Sequence, residues 1–140
     1  VYGPWGRPDM AMFLFTKAIL NKKPIKVFNH GKLSRDFTYI KDIIQGVIAT
    51  IEQENEKDNY QLYNIGNSKS VALLDFIEEI EKCLSIKATK EMWEMQAGDV
   101  SQTFADVTAR SKQYAYHPDT PIQEGVKRFI AWYQQYYVQQ

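Results

Sequence analysis

The spacing of apolar side chains changes several times along this chain, and each change marks an element. Over residues 10–21 apolar residues fall on nearly every side, which predicts a helix buried from more than one direction, capped by Asp9 and stopped by Lys22, Lys23 and Pro24. Ile25-Lys26-Val27-Phe28 alternates as a short strand does, and Asn29-His30-Gly31 then reads as a turn. A second extended stretch covers residues 33–40, and Lys41-Asp42 opens the next helix. There Ile43, Ile44, Val47, Ile48 and Ile51 recur at intervals of three and four, on one face, with Glu52, Glu54 and Glu56 at the wet end. This is the most clearly amphipathic segment of the chain.

Residues 53–59 form a charged, breaker-rich connection, followed by a strand over 61–65 that ends at Gly66-Asn67-Ser68. Ser70 to Ala72 are expected to open a helix with Leu73, Ile77, Ile80 and Leu84 as its buried stripe and Glu78, Glu79 and Glu81 on its solvated face. A short strand over 90–95 leads into a loop over 96–99. Asp106 is expected to cap a brief helix reaching about Tyr114, ended by His117-Pro118. Thr120 as cap, Pro121 in the first turn and Gln123 as the return partner predict a final helix. Its packed face is Ile122, Val126, Phe129, Ile130, Tyr133 and Tyr137. The aromatic group Trp132, Tyr133, Tyr136 and Tyr137 is read mostly as core, with a partner surface as the alternative. The pattern is a mixed α/β (α+β) fold with too few strands for a doubly wound sheet, so the small sheet is expected to need a neighbour.

Length and composition narrow the function. A chain of 140 residues, 44% apolar, suffices for a single core. Seventeen basic residues balance seventeen acidic ones, which argues against nucleic acid and anionic membranes as partners and makes any anion site local. The longest apolar run, Met10 to Phe15, is too short to span a bilayer, and no charged leader opens the sequence. Cys83 is the one cysteine, so an intramolecular disulfide is impossible and a cytoplasmic setting is expected, with the thiol buried rather than nucleophilic. His30 and His117 read as surface turn residues, and no metal site is expected. The sequence opens on Val1, in what reads as the end of a strand, which suggests a truncated product of a longer protein.

Two arginines suit an anionic ligand, because a guanidinium fork can donate two parallel hydrogen bonds to phosphate oxygens. Arg35 either serves this purpose or pairs with Asp36 or Asp42 to pin a strand to a helix; Arg7, between Gly6 and Pro8, either faces a ligand or is solvated. Phe28 is a core residue or a platform for a planar base, with the backbone of Lys26 and Phe28 reading its edge. Asp99 after Gly98 either shapes a turn or accepts hydrogen bonds from sugar hydroxyls.

Val1-Tyr2-Gly3-Pro4, Arg35-Asp36-Phe37-Thr38-Tyr39-Ile40 with Asp42, Tyr63-Asn64-Ile65-Gly66, Gly98-Asp99-Val100 and Ala105-Asp106 resemble the ordered landmarks of extended short-chain dehydrogenase/reductase proteins. The longer run from Tyr2 to Ala11, with Met95-Gln96, resembles the UDP-glucuronate 4-epimerases among them. The resemblance implies that residues 1–140 are a single C-terminal sugar-nucleotide-binding domain lacking the N-terminal Rossmann half, of which residues 1–5 are a remnant. Arg7, Met10 and Ala11 would border the sugar nucleotide, Lys26 and Phe28 the uracil, Arg35 the diphosphate and Asp99 the ribose. In such enzymes NAD takes a hydride from sugar C4, the keto sugar turns over, and the hydride returns to the other face, interconverting UDP-glucuronate and UDP-galacturonate.

No Gly-x-x-Gly-x-x-Gly fingerprint and no Tyr-x-x-x-Lys pair occurs in this sequence, so no catalytic or cofactor-binding residue is assigned here and the chain alone is expected to be inactive and to bind no NAD. The resemblance implies a complete protein that is a homodimer through the missing half and has a role in polysaccharide synthesis, and the fragment alone is expected to be a monomer or a non-native associate through its apolar surface around Met10 to Phe15 and the strand edges. Ala97 stands where many relatives carry proline, and Lys41 where an acid is common. A sugar-nucleotide dehydratase or decarboxylase would share these landmarks, and a non-catalytic binding or assembly module is the alternative from another class.

Overall fold

Among the described residues, five helices and two small two-stranded sheets make up the fold. The computed structural model describes residues 1–52 and 61–138. Helix α1 spans Ala11–Leu20 and buries Met12, Phe13, Phe15, Thr16 and Ile19. Strand β1 (Ile25–Val27) follows, then a tight 3-10 turn over Phe28–Gly31 in which Asn29 and His30 both adopt left-handed backbone angles. Strand β2 (Ser34–Asp36) leads into α2 (Ile40–Glu52), and β3 (Ser70–Ala72) runs directly into α3 (Leu73–Leu84). Strand β4 (Lys90–Met92), α4 (Thr108–Tyr114) and α5 (Ile122–Tyr137) complete the order.

β1 pairs in parallel with β4, Ile25 opposite Lys90 and Val27 opposite Met92, while β2 pairs antiparallel with β3. A parallel pair needs a long crossover. Here the crossover carries α2, β3 and α3, and it brings the 3-10 turn after β1 beside the residues that follow β4. The core is built on α3: Phe76, Ile77 and Ile80 are fully buried against Val126 and Phe129 of α5, Ile19 of α1 and Val27 of β1. Leu73 and Leu84 complete the stripe that the three-and-four spacing predicts.

Two carboxylates, Asp36 partly buried and Asp42 fully buried, hold the loops. Asp36 accepts hydrogen bonds from the backbone N–H groups of Asn67 (2.9 Å), Ser68 (3.0 Å) and Ala105 (3.0 Å), and from Thr38 Oγ1 (3.2 Å). Asp42, fully buried, accepts from Thr120 Oγ1 at 2.8 Å and from the Thr120 N–H at 3.3 Å. Such charge-assisted bonds offset the cost of taking a carboxylate out of water.

Several sequence expectations are corrected. Asp9 does not cap α1; its carboxylate is taken by Arg7. Thr120 does not cap α5, because its hydroxyl serves Asp42, and Pro121 stands at the cap. Ser70–Ala72 form a strand, since β2 offers them a ladder before the helix begins. Residues 61–65 are not a strand, and no described strand lies alongside to pair with them. Cys83 is exposed and Glu81 is buried, the reverse of the expected faces at that end of α3. Partial desolvation by its neighbours and the nearby Glu79 still push the Cys83 thiol up, against a nucleophilic role. Tyr137 is half exposed rather than packed. On α2 the apolar face is in place but bare: Ile44, Val47, Ile48 and Ile51 all lie open to solvent. The expected connection over 53–59, with Glu54 and Glu56, lies outside the described residues.

Candidate functional site

β1 ends where the backbone turns sharply, and this sets the site. Ile25 and Val27 point into the core, so the alternating Lys26 points outward. Phe28, one position past the strand, follows on the same side as Lys26 and is half buried. An open cavity of about 610 Å³ lies between this edge and α1, and Asp9, Ala11, Phe15, Lys26, Phe28 and Gln96 are among its walls. Its size and mainly apolar lining with a few charged groups are those of a small-molecule site.

Gln96 ties the cavity to a charged pair. The Asp99 N–H donates to the Gln96 carbonyl at 3.2 Å, closing a turn in which Gly98 takes a left-handed φ of 81°. That turn delivers the Asp99 carboxylate to Arg35 on β2, Nη2 to Oδ1 at 2.6 Å, while Arg35 Nη1 donates to the Ser34 carbonyl at 2.9 Å. Arg35 therefore pairs with neither Asp36 nor Asp42, which are occupied as described. Its side chain and that of Asp99 are both partly buried, at 23% and 32% exposure, so the pair is rigid yet reachable.

The other expected residues sit around the same mouth with different degrees of commitment. Ala11 lines the cavity as the first residue of α1; Met10, half exposed, precedes it. Arg7 is largely exposed and held by Asp9, Nε to Oδ1 at 3.1 Å and Nη2 to Oδ2 at 2.5 Å. The hydrogen bond and charge of Asp9 raise the Arg7 guanidinium further above its ordinary value, and Arg7 in turn lowers the Asp9 carboxyl.

The sequence pattern does not single out Trp93. It lies one residue past β4, across the parallel register from Phe28; their ring centroids are 6.4 Å apart, and Lys26 Nζ sits 4.4 Å from the indole ring. The only sequence signal is an aromatic just before the Gln96 loop, meaningless until β1 and β4 are known to pair. His30 is exposed in its turn as expected, but hydrogen-bonds Glu94 at 3.0 Å. Among the described residues no cluster of potential metal ligands occurs, and no helix is long and apolar enough to cross a membrane.

The mixed α/β fold is that of part of an extended short-chain dehydrogenase/reductase. A crystal structure of the UDP-glucuronic acid 4-epimerase from Bacillus cereus, in complex with UDP-glucuronic acid and NAD, superposes with a TM-score of 0.90 at 34% identity, over 97% of this chain and 43% of that one. Residues 1–66 match the NAD dependent epimerase/dehydratase family. The chain is 38% identical to UDP-glucuronate 4-epimerase 2 of Arabidopsis thaliana, over 99% of its length and 35% of the relative. It is 41% identical to Protein CapI of Staphylococcus aureus, over 98% of this chain and 46% of that protein. This chain is thus similar to nucleotide-sugar epimerases, and its match to the NAD dependent epimerase/dehydratase family lies in residues 1–66. It spans less than half the length of these relatives.

Proposed function

We propose that this chain supplies the sugar-nucleotide-binding part of an NAD-dependent enzyme that interconverts UDP-glucuronate and UDP-galacturonate. The observation that carries the reading is the joining of the aromatic cavity at Phe28 to the Arg35–Asp99 pair by one turn, Gln96 to Asp99. A nucleoside diphosphate sugar has a flat base, two phosphates and hydroxyl-bearing rings, and the cavity with the charged residues beside it offers a partner for each. Phe28 and Lys26 face the base, Arg35 the diphosphate, Asp99 the ribose, and Arg7, Met10 and Ala11 the sugar side. Similarity to epimerases that bind UDP-glucuronic acid supports the same substrate class.

Asp99 has a second task in this reading. By holding Nη2 it fixes the plane of the Arg35 guanidinium, so the fork is already oriented when phosphate arrives and less rotamer freedom is lost on binding. The donor set fits a sugar nucleotide; the dinucleotide and the groups that move protons at sugar C4 belong to the remainder of the complete protein. NAD, bound there, supplies the removal and return of hydride. The residues described here hold the substrate, orient it and exclude water from its base.

The test is a product assay. The complete protein with NAD and UDP-glucuronate is expected to yield UDP-galacturonate, and failure to form it, together with no binding of uridine nucleotides, would remove the proposal. Arg35→Ala is expected to weaken UDP binding about tenfold to a hundredfold, the worth of one or more charge-assisted hydrogen bonds.

A further inference from the structure

We infer that Trp93 is a positioning residue for the base subsite, the wall behind Phe28 that sets the attitude of Phe28 and Lys26 toward a pyrimidine. The inference rests on the sugar-nucleotide reading above and adds a residue to it. Phe28 links the cavity to Trp93: it lines the cavity, and its ring meets the indole, which is not among the cavity's walls, at 6.4 Å between centroids, tilted by 59°. Trp93 does not face the ligand space directly, so whatever it does to a ligand passes through Phe28 or Lys26.

Two features give that wall its stiffness. The Trp93 N–H donates to the Val27 carbonyl at 2.9 Å, and the Trp93 carbonyl accepts from the His30 N–H at 3.1 Å, so the backbone on either side of Phe28 is stitched to Trp93. Asn29 and His30, at φ of 48° and 49°, are held in a conformation that most side chains avoid, and these two bonds tie that turn to β4's end while Asn29 Nδ2 closes it on the Lys32 carbonyl at 3.0 Å. The side chain does the rest. Lys26 Nζ rests 4.4 Å from the indole centre, a cation–π contact that keeps a four-carbon side chain in one place at the cavity mouth. Without the indole, Phe28 would lose its backing and Lys26 its anchor, while Arg35 and Asp99, on β2 and the Gln96 turn, would keep their geometry.

The inference therefore separates base recognition from phosphate recognition. In the complete protein, Trp93→Leu is expected to weaken UDP binding by about fivefold, the scale of one aromatic pair and one exposed cation–π contact. It is expected to weaken ADP, which presents a purine on the same diphosphate, by a different factor. Trp93→Phe is expected to restore most of the UDP affinity. Arg35→Ala should weaken both nucleotides alike. A direct readout avoids dependence on a variant that fails to fold: with 5-fluorotryptophan incorporated, the resonance missing in Trp93→Phe is Trp93, and UDP is expected to shift it. Equal weakening of UDP and ADP by Trp93→Leu, or no change in UDP affinity, or a Trp93 resonance that UDP leaves in place, overturns the inference while the sugar-nucleotide reading stands. A wild-type protein that binds no UDP at all removes both.

Discussion

Glu81 lies on α3 with 3% of its side chain exposed, and takes hydrogen bonds from Lys87 Nζ at 2.7 Å, the Ala88 N–H at 3.1 Å and Lys90 Nζ. Burial by itself raises a carboxyl; the two ammonium groups and the amide outweigh it and hold Glu81 at about 2, against 4.5 for a free side chain. The folded state therefore favours the ionised form. That contribution is complete above the unfolded value and is lost as the pH falls from about 4.5 toward about 2. Because Lys87 is largely exposed and water screens it, about 1–2 kcal/mol is expected at neutral pH, below what the full shift would give. Glu81→Gln should cost this amount in urea unfolding at pH 7 and much less at pH 2; an equal cost at both would mean that packing, and not charge, is what Glu81 contributes. Nothing local in the sequence reveals this role, since Glu78 and Glu79 beside it make an acidic face. Its partners arrive only because Ser85 takes a left-handed φ of 55° and turns the chain back. Arg35 and Asp99 were legible as charged loop or strand-edge residues, but their mutual bond spans 64 positions and needs the fold.

At the level of elements, helix α5 carries a glycine where a side chain has no room. A Cβ on Gly125 would overlap Tyr2 Oη and lie 2.6 Å from Tyr2 Cζ, and Tyr2 is itself buried between Tyr39, Phe37 and Phe76. Gly125→Ala is thus expected to destabilise by about 1–3 kcal/mol, as overpacked cores do, despite the better helix propensity of alanine. The Tyr2 hydroxyl is buried without a hydrogen-bond partner among the described residues, so Tyr2→Phe alone should cost little, and in the Gly125→Ala background it should recover part of the loss. Thermal melts of the two single variants and the double variant check this; strict additivity would place the strain elsewhere. Periodicity identified α3 and α5 because their apolar stripes meet a core. It misassigned Ser70–Ala72 because a distant ladder partner, Ser34 opposite Ala72 and Asp36 opposite Ser70, decides a three-residue strand. It misassigned the caps at Asp9 and Thr120 because ion-pair and buried-carboxylate partners claim those oxygens first. The β1–β4 pairing, on which Trp93 depends, has no local signature at all.

On the scale of the whole molecule, the bare face of α2 and the partial match to longer relatives belong to one argument. Ile44, Val47, Ile48 and Ile51 expose between 44% and 78% of their surface, and Leu62 exposes 82%, on a chain that spans less than half of the proteins it resembles. Isolated exposed apolar residues are ordinary, but four along one helix face, at the spacing that elsewhere in this chain marks burial, are the pattern of a surface meant to be covered. The sequence shows that stripe as clearly as it shows the stripe of α3. Nothing in the spacing tells a stripe that meets its own core from one that meets a neighbour, so amphipathicity predicts the face and not its occupant. If the remainder of the enzyme packs there, Ile48→Asp places an unpaired carboxylate in a dry interface of the complete protein and should lower its stability by about 3 kcal/mol or more. On this chain alone the same residue is half open to water, and the change should stay within about 0.5 kcal/mol. Thermal unfolding of the complete protein, with NAD present, decides between them: a fall of several degrees in Tm puts α2 inside the molecule, and a melt unmoved by the charge leaves its apolar face on the outside.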